Sequence, residues 1–322
     1  MEGGAGVGRS SRTKQDASHR QKIAAQREAA RRARVRNRIL LAAGSIVAVA
    51  ALVVAFVLVK VNSGPGTAAP AAESPTGQAL HGLVSDVTGV PAGVLDTVGA
   101  GSLATGDFGT ASAGDSLAGV GGPPLTSDGR PEVLYIGANY CPFCAAERWP
   151  LIIALSRFGT FSGLTATSSS STDEYPGTPT FTFYGSSYRS RYVAFDSVEE
   201  TTNYRQGNSA SQTVPYVTLQ MPTASEQALI NKYDPGANGN PIPFIDIGDR
   251  YIEVSNLAPY GPQDLQGKTW TQVAAALRDP SSAIAQGADA SANYLTAGIC
   301  KLTGNQPATA CTTAVRALEP GL

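Results

Sequence analysis

Cys141-Pro142-Phe143-Cys144 sits where an apolar run, Val133 to Ile136, gives way to a helical run beginning near Cys141. This junction constrains the chain more than any other stretch. It reads as a strand feeding the start of a helix. Two cysteines three apart at a helix N-terminus can close a disulfide, and the unpaired N–H groups and positive dipole end there favour a thiolate on the first. Thiol–disulfide exchange is the chemistry that suits this pattern. The same spacing also serves as half of a zinc site, as the attachment point of a c-type haem, or as an inert bridge. Zinc needs two further Cys or His ligands, but Cys300 and Cys311 lie far down the chain and the histidines, His19 and His81, precede the motif. Haem attachment needs a histidine directly after the second cysteine, and Ala145 stands there. No metal and no cofactor is therefore expected. A passive bridge stays open as the rival to a redox pair.

Charge divides the chain unevenly. Residues 1–38 carry 11 Lys/Arg against 3 Asp/Glu, a net of +8, whereas residues 61–322 carry 12 against 22, a net of −10. Between them, Ile39 to Val59 is 21 residues without a charge, bracketed by Arg38 and Lys60. At about 1.5 Å per residue that run matches the roughly 30 Å hydrocarbon core of a bilayer. It exceeds the apolar stretch of a cleaved signal peptide and no small-x-small site follows it closely, so an uncleaved signal anchor is expected. No Lys or Arg recurs until Arg130, which places residues 1–38 in the cytoplasm and the remainder outside the cell membrane. The Arg-rich stretch that ends at Arg38 is read as topogenic charge with attraction to anionic lipid, and no nucleic-acid partner is expected.

Residues 60–126 read as a linker. Ser63 to Ala79 and Gly101 to Thr126 are dominated by small residues and proline, a composition that cannot bury a core. Leu83, Val84, Val87, Val90, Val94, Leu95 and Val98 recur at helical spacing around Pro91, which predicts one or two short helices docking on the surface of the folded unit. That unit spans residues 127–322. It opens with a strand, Glu132 to Ile136, and a helix from Cys141 to Gly159 that Pro150 should kink. Strands are expected at Leu164 to Thr167, and at Phe181 to Tyr184 and Tyr192 to Phe195, the latter two as separate strands or as a hairpin. A short helix at Ala224 to Tyr233 precedes a hairpin of Ile242 to Ile247 and Tyr251 to Val254. The Ala-rich C-terminal part predicts helices at Trp270 to Leu277, Ala283 to Leu302 and Ala308 to Leu318.

Strand, C-P-x-C at a helix start, kinked helix and late X-Pro hairpin, in that order, resemble the thioredoxin superfamily, and its extracytoplasmic disulfide oxidoreductases in particular. The resemblance covers roughly Pro131 to Leu277, with an insertion between the halves. It implies an α/β thioredoxin-like fold with a C-terminal helical extension, preceded here by one transmembrane helix. The longer run Cys-Pro-Phe-Cys-Ala-Ala-Glu-Arg-Trp-Pro, residues 141–150, with Arg157 to Gly163 after it, is similar to membrane-anchored actinobacterial proteins catalogued as a domain of unknown function.

By that resemblance Cys141, exposed at the helix end, is the attacking thiolate and Cys144 resolves the mixed disulfide. The Ile242-Pro243 bond is implied to be cis and to shape the groove beside the cysteines; the alternative is an ordinary turn proline. Relatives often carry a buried carboxylate six residues before the first cysteine, where this chain has Tyr135. Glu147 could take the resolving thiol's proton through water, or simply compensate the helix dipole at the surface. Cys300 and Cys311 flank a turn and read as a structural disulfide, with a second shuttling pair as the alternative.

The expected partners are protein thiols or disulfides, a membrane redox partner, and the bilayer itself through Ile39 to Val59. The rival from another class is a non-catalytic binding module with an inert Cys141–Cys144 bridge. It would meet its partner through the Gly163 to Tyr233 insertion, whose Phe181, Phe183, Tyr184, Tyr188 and Tyr192 suit either a contact surface or a core.

Overall fold

A computed structural model describes residues 73–105, 117–233, 241–254 and 260–322. The expected anchor, Ile39 to Val59, lies outside the described residues. Among those residues no helix is long and apolar enough to cross a membrane.

The fold is mixed α/β. Helices α1 (Gly77–Thr88) and α2 (Ala92–Val98) lead through two short edge segments, β1 (Ala118–Gly119) and β2 (Thr126–Ser127), to β3 (Arg130–Gly137) and α3 (Pro142–Ser156). Then follow β4 (Gly159–Ser162), β5 (Thr165–Ser168), β6 (Pro179–Thr182), β7 (Ser187–Ser190) and β8 (Ala194–Glu199). After β8 come β9 (Thr201–Arg205), β10 (Tyr216–Thr218) and α4 (Ala224–Tyr233). The hairpin β11 (Phe244–Ile247) and β12 (Tyr251–Val254) precedes α5 (Pro262–Leu265), α6 (Trp270–Ala276), α7 (Ala290–Leu302) and α8 (Thr313–Arg316).

β3 is the hub of the main sheet. It pairs antiparallel with β11, Tyr135 opposite Ile245, and parallel with β8, Gly137 opposite Glu199. Beyond β11 lie β12 and then β1. A parallel pair cannot be joined by a tight turn, and here α3 opens the crossover from β3 to β8. β2 pairs antiparallel with the start of β3, and the other strands form three small antiparallel pairs, β4 with β7, β5 with β6, and β9 with β10. Of the two arrangements open to residues 181–184 and 192–195, separate strands or a hairpin, the structure has separate strands. They pair elsewhere, β6 with β5 and β8 with β3, because β7 intervenes and pairs back to β4.

Strand alternation assigns the two faces of the sheet. Val133, Tyr135, Ile245, Ile247 and Tyr251 point to the face that α3 covers. Leu134, Ile136, Phe244 and Ile252 point to the other, where Val198 and Ile230 of α4 close a smaller core. Helix α3 is buried on all sides from Cys144 to Leu155, as a run that is apolar all round but for Glu147 and Arg148 requires. Pro142 at its first position sets the entry angle. Pro150 lies inside the helix and has no N–H to offer the carbonyl one turn back. Fully burying side chains such as Trp149, Leu151 and Ile152 contributes about 1.5–3 kcal/mol each.

Two peripheral segments differ from expectation. The helices on either side of Pro91 do not merely dock on the surface: Leu83, Val87, Leu95 and Val98 are buried in the main core. Asn293 of α7 donates to the carbonyls of Leu95 at 2.8 Å and Gly99 at 2.9 Å. At the other end, the helix expected over residues 308–318 shrinks to the single turn of α8. Thr312 caps that turn, accepting the Val315 N–H, so the chain ahead of it is held as a turn. The Cys300–Cys311 disulfide is present, and it ties the end of α7 to this turn rather than clamping two long helices.

Candidate functional site

Cys141 is the N-cap of α3, and its Sγ accepts the Cys144 N–H at 3.2 Å. On the other side the Cys141 thiol lies 3.7 Å from the Ile242 carbonyl, just ahead of a cis Ile242–Pro243 bond. Cys141, Cys144 and Pro243 thus meet at one place, with both cysteines as free thiols. Expected to be exposed, Cys141 is instead 5 % exposed. The insertion covers it: the Ser170 N–H bonds the Tyr140 carbonyl and the Asn139 N–H bonds the Thr201 carbonyl, each at 2.9 Å. Tyr140 stacks on Tyr216 with centroids 4.3 Å apart, Arg205 lies over Tyr216, and Phe143 meets Tyr175 edge-on. Of the aromatics considered for a contact surface, Phe181 and Phe183 are core, Tyr188 and Tyr192 pack against it, and Tyr184 is exposed.

The two thiols are driven apart. Burial pushes Cys141 up, but the S–H of Cys144, the Cys144 N–H, the Arg148 guanidinium and the Phe143 N–H outweigh it and leave Cys141 below the ordinary cysteine value. Burial, the bond it donates to Cys141 and the charge of Cys141 hold Cys144 well above that value, against Arg148 and the Ala138 backbone. An attacking sulfur that ionises easily and a partner that holds its proton is the division of labour that exchange requires.

Beneath the cysteines lies a buried charged pair that the sequence pattern does not reveal. Arg148, one turn beyond Cys144, is fully buried and grips Glu199 of β8, Nε to Oε1 at 2.9 Å and Nη2 to Oε2 at 2.6 Å. Nη2 also donates to the Ala138 carbonyl at 2.9 Å, and Glu199 accepts the Phe183 N–H at 3.1 Å. Arg148 lies 5.7 Å from the centroid of the Tyr135 ring. That ring leans along β3 over Gly137, where any Cβ would overlap the phenol oxygen, so its hydroxyl points to the strand end that feeds Cys141. Burial holds Tyr135 well above its usual value, partly offset by Arg148, so it is a protonated donor. The signal for Arg148 in the sequence is a lone cation, next to Glu147, inside an otherwise apolar helical run.

Glu147 is not the surface residue that dipole compensation implies, nor does it face the resolving thiol. It is buried and shares a hydrogen bond with Glu253 of β12. Burial first, then the Glu253 charge, raises it well above the carboxylate range; burial pushes Glu253 up to about 8. Glu253 opposes Ile245, which opposes Tyr135. It therefore stands two strands, roughly 10 Å, from β3, which draws Glu147 to the side of α3 away from Arg148. Its partner is a carboxyl group and not a thiol.

Among the described residues no group of His, Cys, Asp and Glu is arranged to hold a metal ion. Comparison with curated proteins and with solved structures returns no match. One family does match, over residues 117–301, which include the whole main sheet, both thiols and the buried charges beneath them. The chain belongs to that family, described as Domain of unknown function (DUF929).

Proposed function

We propose that this chain is a thiol–disulfide oxidoreductase acting on protein thiols or disulfides, built on a thioredoxin-like fold. The observation that carries the proposal is the Cys141 sulfur: it caps α3, accepts the Cys144 N–H, faces the Ile242 carbonyl and ionises more readily than an ordinary thiol. The order of β3, α3, parallel β8 and the β11–β12 hairpin supports the fold assignment. With Ile39 to Val59 as an anchor, the domain would face the outside of the cell membrane, where a membrane redox partner could restore the pair.

The slight exposure of Cys141 favours a second reading, a binding module with a passive bridge. Against it, the cysteines are two free thiols with opposite ionisation tendencies. The test is exchange. The full-length chain is equilibrated in glutathione buffers, and the peptide carrying Cys141 and Cys144 is read by alkylation and mass spectrometry. Interconversion of dithiol and disulfide supports the enzyme; a pair that stays closed throughout supports the module.

A further inference from the structure

Resting on the thiol–disulfide reading, we infer that the Arg148 guanidinium and the Tyr135 hydroxyl receive the Cys144 sulfur as it leaves the Cys141–Cys144 disulfide, making this pair a donor of disulfides to protein thiols. Cys144 and Arg148 are four apart on α3, so their side chains lie on one face a turn apart. Glu199 and the Ala138 carbonyl occupy Nε and Nη2. Nη1 is buried with no partner among the described residues, and so is Tyr135 Oη. Arg148 and Tyr135 both interact electrostatically with Cys144, and two orphaned buried donors within reach of a fully buried sulfur suit a negative charge on that sulfur better than the neutral thiol now there.

The step that needs them is the first. A substrate thiolate attacks Cys141 Sγ; the Cys141–Cys144 bond breaks, its electron pair goes to the Cys144 sulfur, and a substrate–Cys141 disulfide forms. Water cannot solvate that leaving thiolate, so Arg148 and Tyr135 do, until Cys144 takes up a proton released by the substrate. A second substrate thiolate then attacks the substrate's own sulfur and expels Cys141 as a thiolate. The substrate loses two electrons and the pair gains them; a partner protein disulfide of more oxidising potential must take them back. Arg148 also stabilises the Cys141 thiolate, and a stabilised reduced form is what makes a pair oxidising. Glu199 is a positioning residue, since it acts only by fixing the guanidinium.

The test compares the full-length wild type with R148M/E199Q, which removes the cation without stranding a carboxylate, with R148K, and with Y135F. Thiolate absorbance is followed against pH, and the pair is equilibrated with glutathione. R148M/E199Q should shift the Cys141 titration upward and favour the disulfide form by about tenfold, which corresponds to about 30 mV for two electrons. R148K should keep the low titration. Y135F, which removes a buried unpartnered hydroxyl, should slow exchange severalfold at a melting temperature no lower than that of the wild type. A wild type that exchanges while R148M/E199Q titrates and equilibrates as it does overturns the inference. Should R148M/E199Q fail to fold, an unchanged exchange rate in Y135F overturns it equally. A wild type that does not exchange at all overturns the oxidoreductase reading, and this inference with it.

Discussion

Glu147 and Arg148 are neighbours on one buried turn of α3, yet they have opposite fates. Arg148 leans to β8 and meets Glu199, so both charges persist with hydrogen bonds on three sides. Glu147 leans the other way and meets Glu253: burial and then the Glu253 charge push Glu147 toward the protonated form, and burial does the same to Glu253 against the opposing bond from Glu147. The helix and its burial are common to the two. What differs is the strand beneath: β8 on one side of β3, β12 across β11 on the other. Buried charge survives where the neighbouring strand brings its counter-charge, and is neutralised where it brings its like.

The largest expected effect comes from splitting the charged pair. E199A leaves a buried guanidinium without its partner and should cost about 3–5 kcal/mol in chemical unfolding; E147Q, which keeps a hydrogen bond in the neutral pair, should cost far less. If the two substitutions cost the same, the contrast fails.

Next in size is a control remote from both pairs. C300S/C311S opens the bridge at the end of α7 and should lower stability by about 2–4 kcal/mol while leaving the Cys141 thiolate titration where it was. A moved titration would mean that the site is not insulated from the C-terminal turn.

A smaller and more diagnostic effect is the pH dependence. Glu253, at about 8 when folded, holds a proton that the unfolded chain releases near 4.5. The native state then binds more protons than the unfolded state, so stability falls as pH rises from about 4.5 to about 8. Burial raises Asp246 to about 7 and Asp289 to about 8 with the same sign. Melting scans should show this decline, and E147Q/E253Q should flatten part of it.

The smallest expected effect is on catalysis. E147Q should leave the exchange rate and the Cys141 titration unchanged, because Glu147 bonds to Glu253 and not to a thiol. A substantial loss of rate in E147Q would restore it as the acceptor of the resolving thiol's proton.

Local signals carried well from sequence to structure. Pro142 and Cys141 mark the start of α3, and the alternation of residues 244–247 and 251–254 marks the hairpin; the cis bond at Pro243 is what the family resemblance implies, not what the local residues dictate. Long-range facts did not carry. Nothing within residues 141–144 says that Ser170, Thr201 and Tyr216 close over them, so an end-of-helix cysteine reads as exposed. Periodicity places Glu147 and Arg148 on the helix but does not name the strand each will meet. Apolar spacing around Pro91 was legible, whereas the depth to which Leu83 and Val87 are buried depends on the C-terminal half of the chain.

The most direct test of the account is the reduction potential of the Cys141–Cys144 pair in the full-length protein. The account predicts ready equilibration with glutathione and a potential nearer about −120 mV than about −270 mV. A pair that resists reduction below about −300 mV, with no thiol ionising below the ordinary cysteine range once opened, would contradict it and leave a structural bridge.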